Sequence, residues 1–123
     1  MKYKVIDYVT TLEACKILQL SKNSTGSITR KLQNGEIKGA YKFGKTWAIP
    51  IYWIKSECVS RNIYWIEKEL KNDEKGVSLK NYIPIKEYCE KNKISYNVFN
   101  SQIARGYYDG EFIRFANTYG LPK

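Results

Sequence analysis

The sequence predicts an α+β chain, mostly helical, built from two tandem helix–turn–helix–hairpin units joined by a connecting helix. Three observations predict it. Residues 8–50 and 82–122 nearly repeat one another. Each copy sets two short stretches of helical apolar spacing before an alternating stretch broken by a turn. The segment between the copies carries apolar residues at helical spacing. A repeat of about forty residues is the mark of one supersecondary unit used more than once. The expected division is 1–50, first module; 51–82, connecting helix and linker; 83–123, second module.

The repeat matches where a fold needs it. Tyr8-Val9-Thr10 aligns with Tyr82-Ile83-Pro84, and Glu13 and Cys15 with Glu87 and Cys89. Ser24 aligns with Ser95, Gly35 with Gly106, Gly39 with Gly110, and Phe43 with Phe115. Thr46, Trp47, Ile49 and Pro50 meet Thr118, Tyr119, Leu121 and Pro122. Forty residues is marginal for a core of its own, so each copy is expected to lean on the linker or on the other copy.

In the first copy, Thr10 followed three residues later by Glu13 is a capping-box signal. Ala14, Cys15, Leu18 and Ile17 fit the buried face of a helix ending near Gln19 or Leu20. A polar loop, Ser21-Lys22-Asn23, leads to Ser24 as the N-cap of a second helix reaching Gln33. Ile28 and Leu32 form its buried stripe, and Gly35 supplies a left-handed terminus. Gly39 to Pro50 reads as a hairpin around Gly44-Lys45. A two-residue turn puts Phe43 and Trp47 on opposite faces; a three-residue loop pairs them on one face. The three-residue loop is the expectation, because it gathers the apolar groups, with Trp47 and Tyr119 buried in their copies.

The second copy repeats the pattern: a helix from about Ile85 to Asn92, another from Tyr96 to Ala104, and a hairpin from Phe112 to Leu121. Pro84 suits a first helical turn. Val98, Phe99 and Ile103 are the expected buried stripe. The interhelical turn is three residues longer in the first copy. In the linker, Val59, Ile63, Ile66 and Leu70 predict one face of a connecting helix from Ile54 to Lys71.

The chain holds 21 Lys and Arg against 12 Asp and Glu, a net charge of +9. Such a balance favours a polyanionic partner. Residues 1–50 hold 9 basic and 3 acidic residues, a net of +6; residues 83–123 hold 6 and 4, a net of +2. The three cysteines make an odd number, which argues against a disulfide framework. Cys15, Cys58 and Cys89 are expected as buried core thiols, suited to a reducing cytoplasm. No apolar run approaches membrane-spanning length, and Met1-Lys2-Tyr3-Lys4 lacks a signal-peptide core. There is no His, hence no imidazole base or ligand. No phosphate-loop or dinucleotide glycine pattern is present either. The expectation is a non-enzyme with no catalytic residues, no metal, no cofactor and no small-molecule substrate. The 11 Tyr and 3 Trp fall mostly at repeated positions, which makes them core rather than a platform for single strands.

"TLEACKILQL", "STGSITRKLQNGEI" and "YKFGKTWAIP" in the first copy, with "PIKEYCEKNKIS", "SYNVFNSQIARG" and "RFANTYGLP" in the second, resemble a known family. They look like the winged helix-turn-helix DNA-binding domains of excisionases and MerR-type regulators. The resemblance covers about two thirds of the chain. It implies two tandem winged helix-turn-helix modules in a sequence-specific double-stranded DNA-binding protein, of excisionase or transcriptional-regulator type, from a mobile element. It implies that the second helix of each copy enters the major groove and the hairpin, or wing, touches backbone or minor groove. The DNA-contacting candidates in the first copy are Lys22, Thr25, Ser27, Thr29, Arg30, Lys31 and Gln33, with Lys42, Lys45 and Thr46 on the wing. Those of the second are Tyr96, Asn97, Asn100, Ser101 and Arg105, with Arg114, Asn117 and Thr118 on the wing. Ser and Thr at a helix start suit phosphate, and Arg suits guanine or phosphate. The alternative is a protein-binding module: the second copy recruits a recombinase or replication protein, or the chain is a phage-borne inhibitor.

Overall fold

Eight strands and five α-helices are formed among the residues described by the computed structural model, which are 2–20, 25–65, 67 and 69–123. The class is α+β, 39% helical and 25% strand. Strands take a larger share than two hairpins alone predict, because four further short strands form.

The chain divides into two compact units, Ile6–Glu69 and a discontinuous one made of Met1–Val5 with Leu70–Lys123. The boundaries differ from 1–50, 51–82 and 83–123 at both ends. Strand β1 (Lys2–Val5) pairs in parallel with β5 (Glu74–Val77), Lys2 opposite Glu74 and Val5 opposite Val77. The N-terminal residues therefore serve the C-terminal unit. A parallel pairing between segments so far apart has no local signature in sequence.

In the unit Ile6–Glu69, β2 (Tyr8–Val9) leads into α1 (Thr11–Ile17). Thr10 accepts from the Glu13 amide at 3.2 Å, and Glu13 Oε1 accepts from the Thr10 amide at 3.3 Å. Both halves of the capping box are present. Helix α2 (Thr25–Gln33) follows, with Ile28 and Leu32 buried. It ends as glycine permits: Gly35 has φ +71°, its amide donates to Leu32 and the next amide, of Glu36, to Lys31. The expected Ser24 cap lies outside the described residues.

Strands β3 (Tyr41–Phe43) and β4 (Thr46–Pro50) form the hairpin, and β2 pairs with the other edge of β4. Phe43 faces Thr46 across the turn, so the turn has two residues, Gly44-Lys45. This corrects the three-residue expectation. Phe43 is buried on one face, while Trp47, opposite Lys42, is only half-buried on the other. The ammonium of Lys42 lies 5.2 Å from the Trp47 ring centroid. The positive φ of Gly44, +66°, meets the demand of this turn at its first central position.

Helix α3 (Ile51–Ser60) starts directly after β4. It is not the expected connecting helix Ile54–Lys71. Ile54 and Cys58, four apart, enter the same buried cluster as Val9, Ala14, Cys15, Leu18, Ile28, Leu32, Ile37 and Ile49. Val59 is 78% exposed, and Leu70 is also exposed. Ile66 lies outside the described residues. The helix stops because Asn62 turns left-handed, φ +57°, and the Ile63 amide reaches back to Cys58. Helix α3 thus completes a core that forty residues fill poorly.

The other unit repeats the order. After a 3-10 turn at Leu79–Asn81 come β6 (Tyr82–Pro84), α4 (Ile85–Asn92), α5 (Tyr96–Ala104), β7 (Ile113–Phe115) and β8 (Thr118–Pro122). Pro84 occupies the cap of α4, one residue before the first helical turn. The strand order β6-β8-β7 reproduces β2-β4-β3. Tyr82 pairs with Pro122 as Tyr8 pairs with Pro50. The Ile94 amide returns to Cys89 as the Leu20 amide returns to Cys15. The core here is aromatic: Tyr88, Phe99, Tyr108, Phe112 and Tyr119 form a chain with successive centroids 5.6, 5.1, 6.1 and 5.8 Å apart. Phe99 and Ile103 are the buried stripe of α5. Val98 is 56% exposed, which corrects its expected burial. Tyr119 is half-buried, as Trp47 is.

Candidate nucleic-acid interface

Burial of Ile28 and Leu32 fixes how α2 is rolled, and so which side chains it offers to solvent. Ser27, Arg30 and Gln33, three apart, are exposed along one face. Thr29 and Lys31 flank the buried stripe and are half-buried. Thr25 begins the helix, its side chain outside the described set, and Lys22 lies outside the described residues altogether. On the hairpin, Lys42 and Lys45 are exposed and Thr46 half-buried. Lys45 sits in the two-residue turn itself, and Lys42 leans on Trp47. No acidic residue lies between Ser27 and Gln33 or between Lys42 and Thr46. A flexible ammonium at a hairpin tip and a guanidinium on a helix face suit phosphates and base edges.

In the C-terminal unit, Asn97, Ser101 and Arg105 fall four apart on α5. They line one shallow depression with Val98, Gln102 and Tyr107. Val98, Gln102 and Tyr107 are not among the sequence candidates. The spacing of four from Val98 to Gln102 was the available signal, once Val98 is taken off the buried stripe. Asn100 is half-buried, and Tyr96 carries the Lys86 ammonium 5.4 Å from its ring centroid. Ser95 occupies the N-cap of α5 but makes no side-chain cap bond. On this hairpin Asn117 lies in the turn and is exposed, and Thr118 is half-buried opposite Phe115.

Arg114 donates from Nε to the Ala116 carbonyl at 3.2 Å, so its guanidinium is braced on its own turn. It also lines a cleft of about 470 Å³ with Lys2, Tyr3, Glu74, Phe112 and Tyr119. Lys2 and Tyr3 come from β1, neighbours that a reading of the second copy alone does not reveal.

Across the two compact units the charge is nearly even. Ile6–Glu69 holds 10 basic and 6 acidic residues, a net of +4. Met1–Val5 with Leu70–Lys123 holds 11 and 6, a net of +5. Lys2 and Lys4 fall in the C-terminal unit, so the +6 of residues 1–50 and the +2 of residues 83–123 even out across the two compact units. What persists is local: Arg30, Lys31, Lys42 and Lys45 on α2 and its hairpin, against Arg105 and Arg114 on α5 and its hairpin.

Cys15, Cys58 and Cys89 are free and buried, and burial pushes all three thiols up, away from the reactive thiolate. Among the described residues no three His, Cys, Asp or Glu are grouped to hold a metal, and no helix is long and apolar enough to cross a membrane. No family model, curated protein or solved structure matches the chain.

Proposed function

We propose that the chain binds double-stranded DNA in a sequence-specific manner, as two winged helix-turn-helix modules of excisionase or transcriptional-regulator type from a mobile element. The observation that carries this reading is a set of exposed cations on the second helix and hairpin of Ile6–Glu69. Arg30 is exposed on α2 between Ser27 and Gln33, and Lys42 and Lys45 are exposed on the hairpin. Groove reading needs base-edge donors on a helix and cations on a backbone-tracking loop. The net charge of +9 supplies the long-range attraction. Three free thiols suit a reducing cytoplasm.

A second reading has its own observation. Val98 at 56% exposed and Tyr107 at 76% leave an apolar patch on the C-terminal unit, a feature that also suits protein docking to a recombinase or replication protein. An electrophoretic shift with random duplex DNA, run beside a sizing column with and without duplex, tests both. Retention of duplex at moderate salt by a monomeric protein supports the DNA reading. A protein that leaves duplex free at low salt contradicts it.

A further inference from the structure

Helix α5 exposes a face of unusual composition. Two rows four residues apart run side by side, Asn97-Ser101-Arg105 and Val98-Gln102, and together with Tyr107 they line one depression. Two carboxamides thus flank an aliphatic side chain that is more than half exposed. Single exposed apolar residues need no explanation. This one sits between hydrogen-bonding groups on a helix whose opposite face is locked by Phe99 and Ile103, so its direction is fixed.

In the major groove an A·T pair offers an acceptor and a donor on adenine and a methyl group on thymine. A carboxamide matches the adenine edge with one donor and one acceptor, and an aliphatic group matches the methyl. We infer that α5 reads an A·T-rich half-site: Asn97 and Gln102 pair with adenines, and Val98 packs on a thymine methyl. Arg105, at the C-terminal end of the helix, meets a phosphate. This rests on the double-stranded DNA reading and deepens it. Among its described side chains helix α2 has no such set: the exposed Ser27, Arg30 and Gln33 include no aliphatic group, and Arg30 suits guanine. The two units therefore specify different base compositions.

The full chain is used to select sites from a random duplex pool. In the recovered site, the thymines of the A·T-rich segment are replaced by deoxyuridine, which removes only the 5-methyl groups. Loss of one buried methyl weakens wild-type binding about four-fold. Val98→Ala binds more weakly than wild type and is less sensitive to deoxyuridine, and Gln102→Ala relaxes preference at one position. Recovered sites with no A·T-rich segment overturn the inference while leaving the DNA reading intact. So does equal binding of both probes by wild type, and so does a Val98→Ala variant that binds the selected site as wild type does. Recovery of no duplex at all overturns the DNA reading itself.

Discussion

Tyr82 donates its phenolic hydroxyl to the Glu111 carboxylate, fastening β6 to the segment that leads into β7. The repeat changes this contact. Glu111 follows Gly110 as Ala40 follows Gly39, so Tyr8, the counterpart of Tyr82, has no carboxylate in that place. Tyr8 instead meets the ring of Tyr41 edge-on, centroids 5.4 Å apart. The equivalent tyrosines thus differ in at least one contact each, a carboxylate bond for Tyr82 and an edge-on ring for Tyr8.

Alkaline pH should weaken the fold. Burial, then the bond to Glu111 and its negative charge, push the Tyr82 hydroxyl above the ordinary tyrosine range. Burial likewise pushes Tyr41 up to about 12, and raises Tyr108. A raised folded pKa stabilises the protein below the unfolded value, about 10, and that contribution fades as pH rises beyond it. The three buried thiols are raised as well, so thermal unfolding from pH 7 to 11.5 should show stability falling from about pH 8.5, where thiols titrate in the unfolded chain, and falling further above about pH 10 as the tyrosines join. Tyr82→Phe should be less stable at pH 8 by about 1 kcal/mol and should fall less steeply. A mutant curve parallel to wild type above pH 10 would contradict this.

Ala116 should be improvable. It occupies the first position of the second hairpin turn at φ +55°, where the first hairpin has Gly44. An L-residue there costs about 1–2 kcal/mol, partly offset by the extra freedom glycine has when unfolded. Ala116→Gly should raise stability by about 0.5–1 kcal/mol in denaturant titration. A loss of stability would show that the turn is held differently.

Gly39 should resist substitution. Its φ is +84°, and a Cβ placed there collides with the hydroxyl of Tyr52, which donates to the Lys38 carbonyl. Gly39→Ala should cost about 1–3 kcal/mol, from left-handed strain and displacement of Tyr52. Tyr52→Ala in the same background should recover part of the loss; full additivity of the two changes would disprove the coupling.

Trp47→Ala should cost about 2–3 kcal/mol, below the range for a fully buried large aromatic, because the indole is half-buried and part of its contact is with Lys42. Ile49→Ala, at a position with no exposure, should cost about 2–5 kcal/mol. Denaturant midpoints of the two variants check both; an unchanged midpoint for Trp47→Ala would mean the indole anchors nothing.

What was legible in the sequence was local. Thr10 and Glu13 mark the start of α1, and Gly35 and Gly106 mark the ends of α2 and α5. Helices α4 and α5 run where periodicity and Pro84 place them. What escaped was non-local or competitive. The pairing of β1 with β5 joins distant segments, and no spacing rule announces it. The apolar spacing through Val59, Ile63 and Leu70 is helical on paper, yet Asn62 takes the left-handed turn and Ile54 and Cys58 draw α3 into the first core. The hairpin register turned on whether Phe43 and Trp47 share a face, and Gly44 favoured the tighter turn. At the candidate interface, Arg30 and Lys45 are exposed as expected, whereas Val98, Gln102 and Tyr107 emerged only once Phe99 and Ile103 fixed the roll of α5.

The most direct measurement is a salt titration of duplex affinity for wild type, Arg30→Ala/Lys45→Ala and Asn97→Ala/Gln102→Ala on one selected site. Each phosphate neutralised contributes about 0.9 to the log–log slope. The account predicts a salt-dependent wild type, with the slope flattened by up to about 2 when Arg30 and Lys45 are removed. It predicts an unchanged slope, with altered sequence preference, when Asn97 and Gln102 are removed. A wild type that holds no duplex even at low salt, or an Arg30/Lys45 variant with unaltered affinity and slope, would contradict it.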